Sequence, residues 1–421
     1  MSFTVHQKKE LATELNDLIG ELTTPEEDLK SAKINGVIAG VTDDKETVYL
    51  NAKGVKNIET GEKMVIDNVV SFFSCTKSIT CMGLLKLYEQ GKVDLDAPVK
   101  NYVPQISSIG VIDADLVDLE SGTFIKPPRK PLTDVTLRHL LNHTAGFSYG
   151  FLDLQYVALS MKRDPHINSI SPTNALFTND KMPLLHEPGK KWTYGHSTDW
   201  VGKVIEKVTG KRLGDYLKVS IFEPIGMSSC TFHVNNTDNM VDTHIPDRNK
   251  NLKVMKKRPL NVDPEIDMGG QGCYGTVSDY LKFIRVWLNE GMCVETNKQI
   301  LKPETVNYAT QNHLPPGVVV DVEDQFGVKI PLQYEADGFT LAGCAYSMNN
   351  LPTGRPKGAI YWFGLANLYF WMDLENKIGG FWACQLLPVM NMASITGFMR
   401  MEFNVYEALN NSREESTKSK L

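Results

Sequence analysis

The chain has 421 residues, more than one minimal core needs, and fits one large two-part domain or two domains. Its 42% hydrophobic and 22% charged content is that of a soluble globular protein, and a formal net charge of -6 offers nothing to a nucleic-acid backbone. The first residues, MSFTVHQKKELATELNDL, are polar and amphipathic, without the apolar run of a secretory signal.

Positions 4–22 have helical spacing, with Leu11, Leu15, Leu18 and Ile19 on one face. Two strand-like runs follow, Ile34–Val41 and Thr47–Val55, separated by Asp43-Asp44. Cys75–Glu89 reads as a helix that stops at Gly91. From about 100 to 260 the pattern is short helices and long loops, with helices expected at Thr136–Asn142, Ser197–Val208 and Gly214–Ile221. Another helix is expected near Val277–Asn289. Beyond 335 the segments Phe339–Ser347, Ala359–Phe363, Leu368–Asp373 and Gly379–Leu386 read as strands, and Ser394–Leu409 as a closing helix. No apolar run is long enough to span a bilayer; the most apolar stretch, 358–372, is interrupted by Gly364 and Asn367.

Strands, then helices, then strands again imply an α/β (α+β) fold. One antiparallel sheet is built from both chain ends, flanked by the terminal helices, with a helical region inserted. The expected division is a discontinuous sheet domain over 1–95 and 260–412, a helical insertion over 96–259, and a flexible tail over 413–421. The tail ends in Ser419-Lys420-Leu421, which at a free C-terminus is the address read by the peroxisomal import receptor. The seven cysteines include no CxxC pair and read as free, small apolar residues in a reducing compartment. The histidines lack metal spacing, so neither a metal nor another cofactor is expected.

Two segments offer a nucleophile. Ser74-Cys75-Thr76-Lys77 opens a predicted helix and places a lysine one turn beyond a serine, within side-chain reach. A lysine so placed can accept the hydroxyl proton, and the helix N-terminus favours developing negative charge. On the tetrapeptide alone, an N-cap serine beside an exposed lysine is the other reading. Gly146-Phe147-Ser148-Tyr149-Gly150 matches G-x-S-x-G, but it follows a helical run, where that motif needs a preceding strand. A turn fits it better.

Several segments, in order, resemble the serine β-lactamase and penicillin-binding-protein superfamily. The likeness is to the class C enzymes, the family VIII carboxylesterases and the fungal statin side-chain acyltransferases. Ser74-Cys75-Thr76-Lys77 matches S-x-x-K. Leu137 to Gly146 resembles L-x-x-L-L-x-H-T-S-G, with Ala145 for the serine. Pro188-Gly189-Lys190-Lys191-Trp192-Thr193-Tyr194 matches P-G-x-x-W-x-Y, Phe222 to Met227 resembles a helix-ending P-L-G-M, and Gly269-Gly270-Gln271-Gly272 resembles the glycine-rich turn.

The resemblance implies that Ser74 is acylated, that Lys77 takes its proton, and that Tyr194 shares the acid–base work. Trp362-Phe363-Gly364 fits the esterases' W-x-G element and would line the substrate site. The backbone N–H groups of Ser74 and Leu365 would then form the oxyanion hole. A core aromatic in a strand is the other reading of Trp362. His196 stands where the Y-x-N asparagine would be, and is either a substrate contact or a helix-start residue near Asp199. With the K-T-G lysine also unmatched, the resemblance speaks against a dedicated β-lactamase. The expected activity is cleavage of carboxylic esters through a Ser74 acyl-enzyme. The alternatives are acyl transfer from an ester or thioester to an alcohol, and a scaffold without turnover.

Overall fold

The structure is a computed structural model that describes residues 3–112, 116–159, 175–178, 182–321 and 337–418. Ser419, Lys420 and Leu421 lie outside the described residues.

Seven antiparallel strands form the main sheet: β1 (Gly36–Asp43), β2 (Thr47–Gly54), β3 (Gly338–Phe339), β4 (Ala345–Tyr346), β5 (Ile360–Gly364), β6 (Leu368–Asp373) and β7 (Ile378–Ala383). Their order is β3-β4-β5-β6-β7-β1-β2. The two ends of the chain meet at the β1–β7 ladder, where Ile38 pairs with Ala383 and Gly40 with Phe381. Strands β5 to β7 read IYWFG, LYFWMD and IGGFWA and are buried at every position. Such runs of aromatic and aliphatic residues suit a sheet covered on both faces.

The terminal helices α1 (Val5–Thr23) and α5 (Met392–Lys418) pack together over one face. There Trp382 donates its indole N–H to Ser394 at 3.0 Å. Helix α4 (Val277–Leu288) covers the other face, with Leu281 seated over Gly40 and Ile284 over Gly379. Helix α2 (Thr76–Glu89) is buried almost all round and packs on α3 (Ser197–Thr209) of the helical region. The expected sheet, terminal helices and helical insertion are thus present. No helix among the described residues is long and apolar enough to cross a membrane. All seven cysteines are free and buried.

Three elements differ from expectation. The Phe339–Ser347 run is two strands, because Gly343 takes a left-handed φ of 72° between them. The helix expected over Gly214–Ile221 is α-helical only at Leu213–Leu217 and continues as a π turn, Lys218–Phe222. Helix α5 runs on to Lys418, past the expected end at Leu409; 410–418 hold no glycine or proline to stop it.

A small element not expected from the sequence sets up the site. Strand Val70–Ser71 pairs with Tyr274–Gly275, and Phe72 donates its N–H to the Cys273 carbonyl at 2.9 Å. This ladder lays the Gly269–Gly272 turn beside the start of α2.

Candidate active site

Ser74 lies in a 3-10 turn, Phe73–Cys75, that leads directly into α2. Phe73 has a φ of 47°, a left-handed conformation uncommon for an aromatic residue, which sites of chemistry tend to tolerate. From Val70 to Leu85 every residue but Ser74 is buried. Where a Cβ would sit on Gly364, the Phe72 carbonyl is 2.7 Å away, so the end of β5 lies directly against the Ser74 turn. Leu365 follows there and is partly exposed.

Lys77 is fully buried. Its Nζ contacts Ser74 Oγ at 3.3 Å, Tyr149 Oη at 3.0 Å and the Gly270 carbonyl at 2.9 Å. Among the described residues no carboxylate lies within ion-pair distance of it. Three acceptors match the three donors of an ammonium. A neutral amine keeps two of them and turns its lone pair toward Ser74.

Tyr149 comes from the segment that mimics a nucleophile motif. Ser148 itself is buried, with no strand directly before it, and the helix that follows, Leu154–Ala158, starts only after Asp153. The next residue's hydroxyl accepts from Lys77 and donates to Gln271 Oε1 at 3.3 Å. Burial, with Asp199 and Tyr194 nearby, pushes the Tyr149 phenol well above its usual range, so it acts as a neutral hydroxyl.

Tyr194 also meets Lys77, but with its ring: Nζ lies 4.7 Å from the ring centroid. Its hydroxyl accepts from the Trp362 indole N–H at 3.1 Å. Trp192 stacks on it, and Phe339 and His143 close an aromatic wall with Trp362. Burial drives His143 well below its usual pKa, so it is a neutral member of that wall.

His196 is fully buried. Its Nδ1 binds the Ser148 carbonyl at 3.0 Å and its ring packs on Phe147. Burial lowers its pKa to about 4, so it stays neutral while it fixes the turn that carries Tyr149. Phe363 stacks on Trp362 and is buried with it.

The structure therefore gathers Ser74, Lys77, Tyr194, Trp362 and Gly364, and adds Tyr149, Gln271 and the Gly270 carbonyl. Both sources of the added groups were visible as motifs, G-F-S-Y-G and G-G-Q-G. What the sequence lacked was the ladder that brings them to Lys77. No cluster of three or more metal-ligating side chains occurs among the described residues.

A serine paired with a buried lysine one helical turn on, at the junction of an antiparallel sheet and a helical region, defines a serine acyl-transfer enzyme of the S-x-x-K kind. The sequence model of the β-lactamase family matches residues 16–395, and the chain belongs to that family. It is an enzyme of the family's esterase and acyltransferase type. Lovastatin esterase of Penicillium rubens is 27% identical over 385 residues, 87% of this chain and 93% of the relative. Monacolin J acid methylbutanoyltransferase of Aspergillus terreus is 28% identical over 303 residues, 68% of this chain and 69% of the relative.

Among solved structures, a mutant of simvastatin synthase (LovD) from Aspergillus terreus superposes with a TM-score of 0.78 at 23% identity, covering 98% and 99% of the two chains. EstCE1, a hydrolase with promiscuous acyltransferase activity, gives 0.76 at 19%, covering 95% and 99%. At those identities the two structures speak for the fold.

Proposed function

We propose that the chain hydrolyses carboxylic esters through an acyl-enzyme on Ser74. Ser74 Oγ attacks the carbonyl carbon while its proton passes to Lys77 Nζ. The amine keeps its two remaining donors on Tyr149 and the Gly270 carbonyl, so it is already aimed when the proton arrives. The N–H groups of Ser74 and Leu365 receive the oxyanion. The leaving alcohol takes its proton from Lys77, whose Nζ lies against the ring of Tyr194. Water then repeats the sequence in reverse.

The observation that carries this reading is the 3.3 Å contact between Ser74 Oγ and a buried Lys77 that has no carboxylate partner within ion-pair distance among the described residues. Its test is hydrolysis of p-nitrophenyl butyrate by wild type and Ser74→Ala. A loss of at least about 10³-fold is expected. Equal rates would refute it.

A second reading, transfer of the acyl group to an alcohol, is favoured by the aromatic wall of Trp192, Tyr194, Phe339 and Trp362. Such a wall suits an apolar acceptor better than water alone. Adding alcohols during turnover separates the two: ester product outcompeting free acid supports transfer, and unchanged acid release supports hydrolysis. For a chain whose free C-terminus is Leu421, the proposal extends to import into peroxisomes, where acyl thioesters would join the substrates. A tagged protein that stays cytosolic with that terminus intact would remove this part.

A further inference from the structure

Asp199 lies in the first turn of α3, only 2% exposed. Its Oδ1 accepts the Gly270 N–H at 2.6 Å, and the carbonyl of that same glycine accepts from Lys77 at 2.9 Å. Its other oxygen, Oδ2, has no partner among the described residues. Glycine leaves room for this contact: a Cβ at 270 would lie 2.8 Å from both carboxylate oxygens, which would have to shift. A buried carboxylate with one oxygen unpartnered is costly to hold for structure alone.

The groups facing Asp199 are Lys77 on α2, Tyr149 from the 144–150 turn, and the backbone of Gly270. His196, ahead of α3 on the same segment, is neutral. Lys77 is thus the basic group that faces it, and it becomes cationic on taking the Ser74 proton. Resting on the Ser74 acyl-enzyme reading, we infer that Asp199 is a positioning residue. It holds Gly270 with its carbonyl on Lys77, and supplies the counter-charge for the ammonium that forms on Lys77 during acylation.

The step balances without another reactant. The Ser74 Oγ–H bond breaks, Oγ bonds to the carbonyl carbon, and the carbonyl π pair moves onto oxygen. The proton moves to Lys77 Nζ, which becomes cationic while Asp199 stays ionised. Burial pushes the Asp199 carboxyl up to about 7, while Lys77 and the Gly270 N–H draw it down. Protonation below neutrality removes the counter-charge, so acylation should slow as the pH falls through that range.

The test is the pH dependence of kcat/KM for p-nitrophenyl butyrate in wild type, Asp199→Asn and Gly270→Ala. Asparagine keeps an oxygen for the Gly270 N–H and removes only the charge. At pH 8 the Asn variant should be about tenfold slower, and the gap should close to about twofold at pH 5.5, because wild type has by then lost its charge too. Gly270→Ala displaces the carboxylate sterically, should flatten the profile in the same way, and reports independently if the Asn variant folds poorly. Profiles parallel to wild type at every pH, whether equal or uniformly lowered, would overturn the inference. Ser74→Ala in the same assay keeps the two readings apart: activity surviving there refutes the acyl-enzyme, and the Asp199 inference with it.

Discussion

Lys77 is surrounded by the Ser74 hydroxyl, the neutral Tyr149 phenol and the Gly270 carbonyl. Ser74 and Lys77 were legible because one helical turn separates them, a distance that sequence spacing reports. Tyr149 and Gly270 were not, because they lie 72 and 193 positions from Lys77 and reach it only through tertiary pairing. Tyr149→Phe should lower kcat for ester hydrolysis by about 10- to 100-fold with little change in KM, since it removes an acceptor from the base and nothing from the aromatic wall. Steady-state kinetics check this, and an unchanged kcat would contradict it.

Asp199 also has a consequence for stability. Its folded-state pKa of about 7 stands above the ordinary carboxyl range. Between the two, the folded chain holds a proton that the unfolded chain has released, so stability falls as pH rises through that window. Wild-type Tm should therefore drop more between pH 5 and pH 8 than the Tm of Asp199→Asn. Parallel melting curves would contradict this.

At the scale of elements, the close fit of β5 against the Ser74 turn couples sheet to chemistry. Gly364→Ala would bring a methyl to 2.7 Å from the Phe72 carbonyl, backbone that cannot swing away. It should cut kcat/KM by about tenfold or more while costing about 1–3 kcal/mol of stability, the range of modest overpacking. Kinetics and a melt on the same preparation separate the two effects. The strands with continuous aromatic runs, β5 to β7, were legible because burial on both faces writes itself into composition. The two-residue ladder of Val70–Ser71 with Tyr274–Gly275 was not, since so short a pairing leaves no periodicity. Gly343 was a visible interruption in the run that forms two strands, and Gly364 marked a close backbone approach at the Ser74 turn.

The whole molecule is organised by the meeting of its two ends in one sheet. Strands β1 and β7 join there, and α1 and α5 lock that joint from one face. Gly397 of α5 makes the packing possible: a Cβ there would meet Leu22 at 2.6 Å and Trp382 at 2.8 Å. Gly397→Val should destabilise the fold by about 1–3 kcal/mol and lower Tm, while the folded fraction keeps its kcat, because the face it disturbs is opposite α4 and away from Ser74. Thermal melts with active-site titration would show it. The strand–helix–strand order made this architecture readable in the sequence, because two separated strand blocks need one shared sheet to bury their faces. Where α5 ends was less readable, since its polar C-terminal residues carry no core-facing pattern to mark a boundary.

The most direct test of the account is to quench the enzyme during turnover of p-nitrophenyl butyrate and map the acylated residue by peptide mass spectrometry. A butyryl group on Ser74 is expected, absent in Ser74→Ala together with turnover. A butyryl group on Ser148, or undiminished turnover without Ser74, would contradict it.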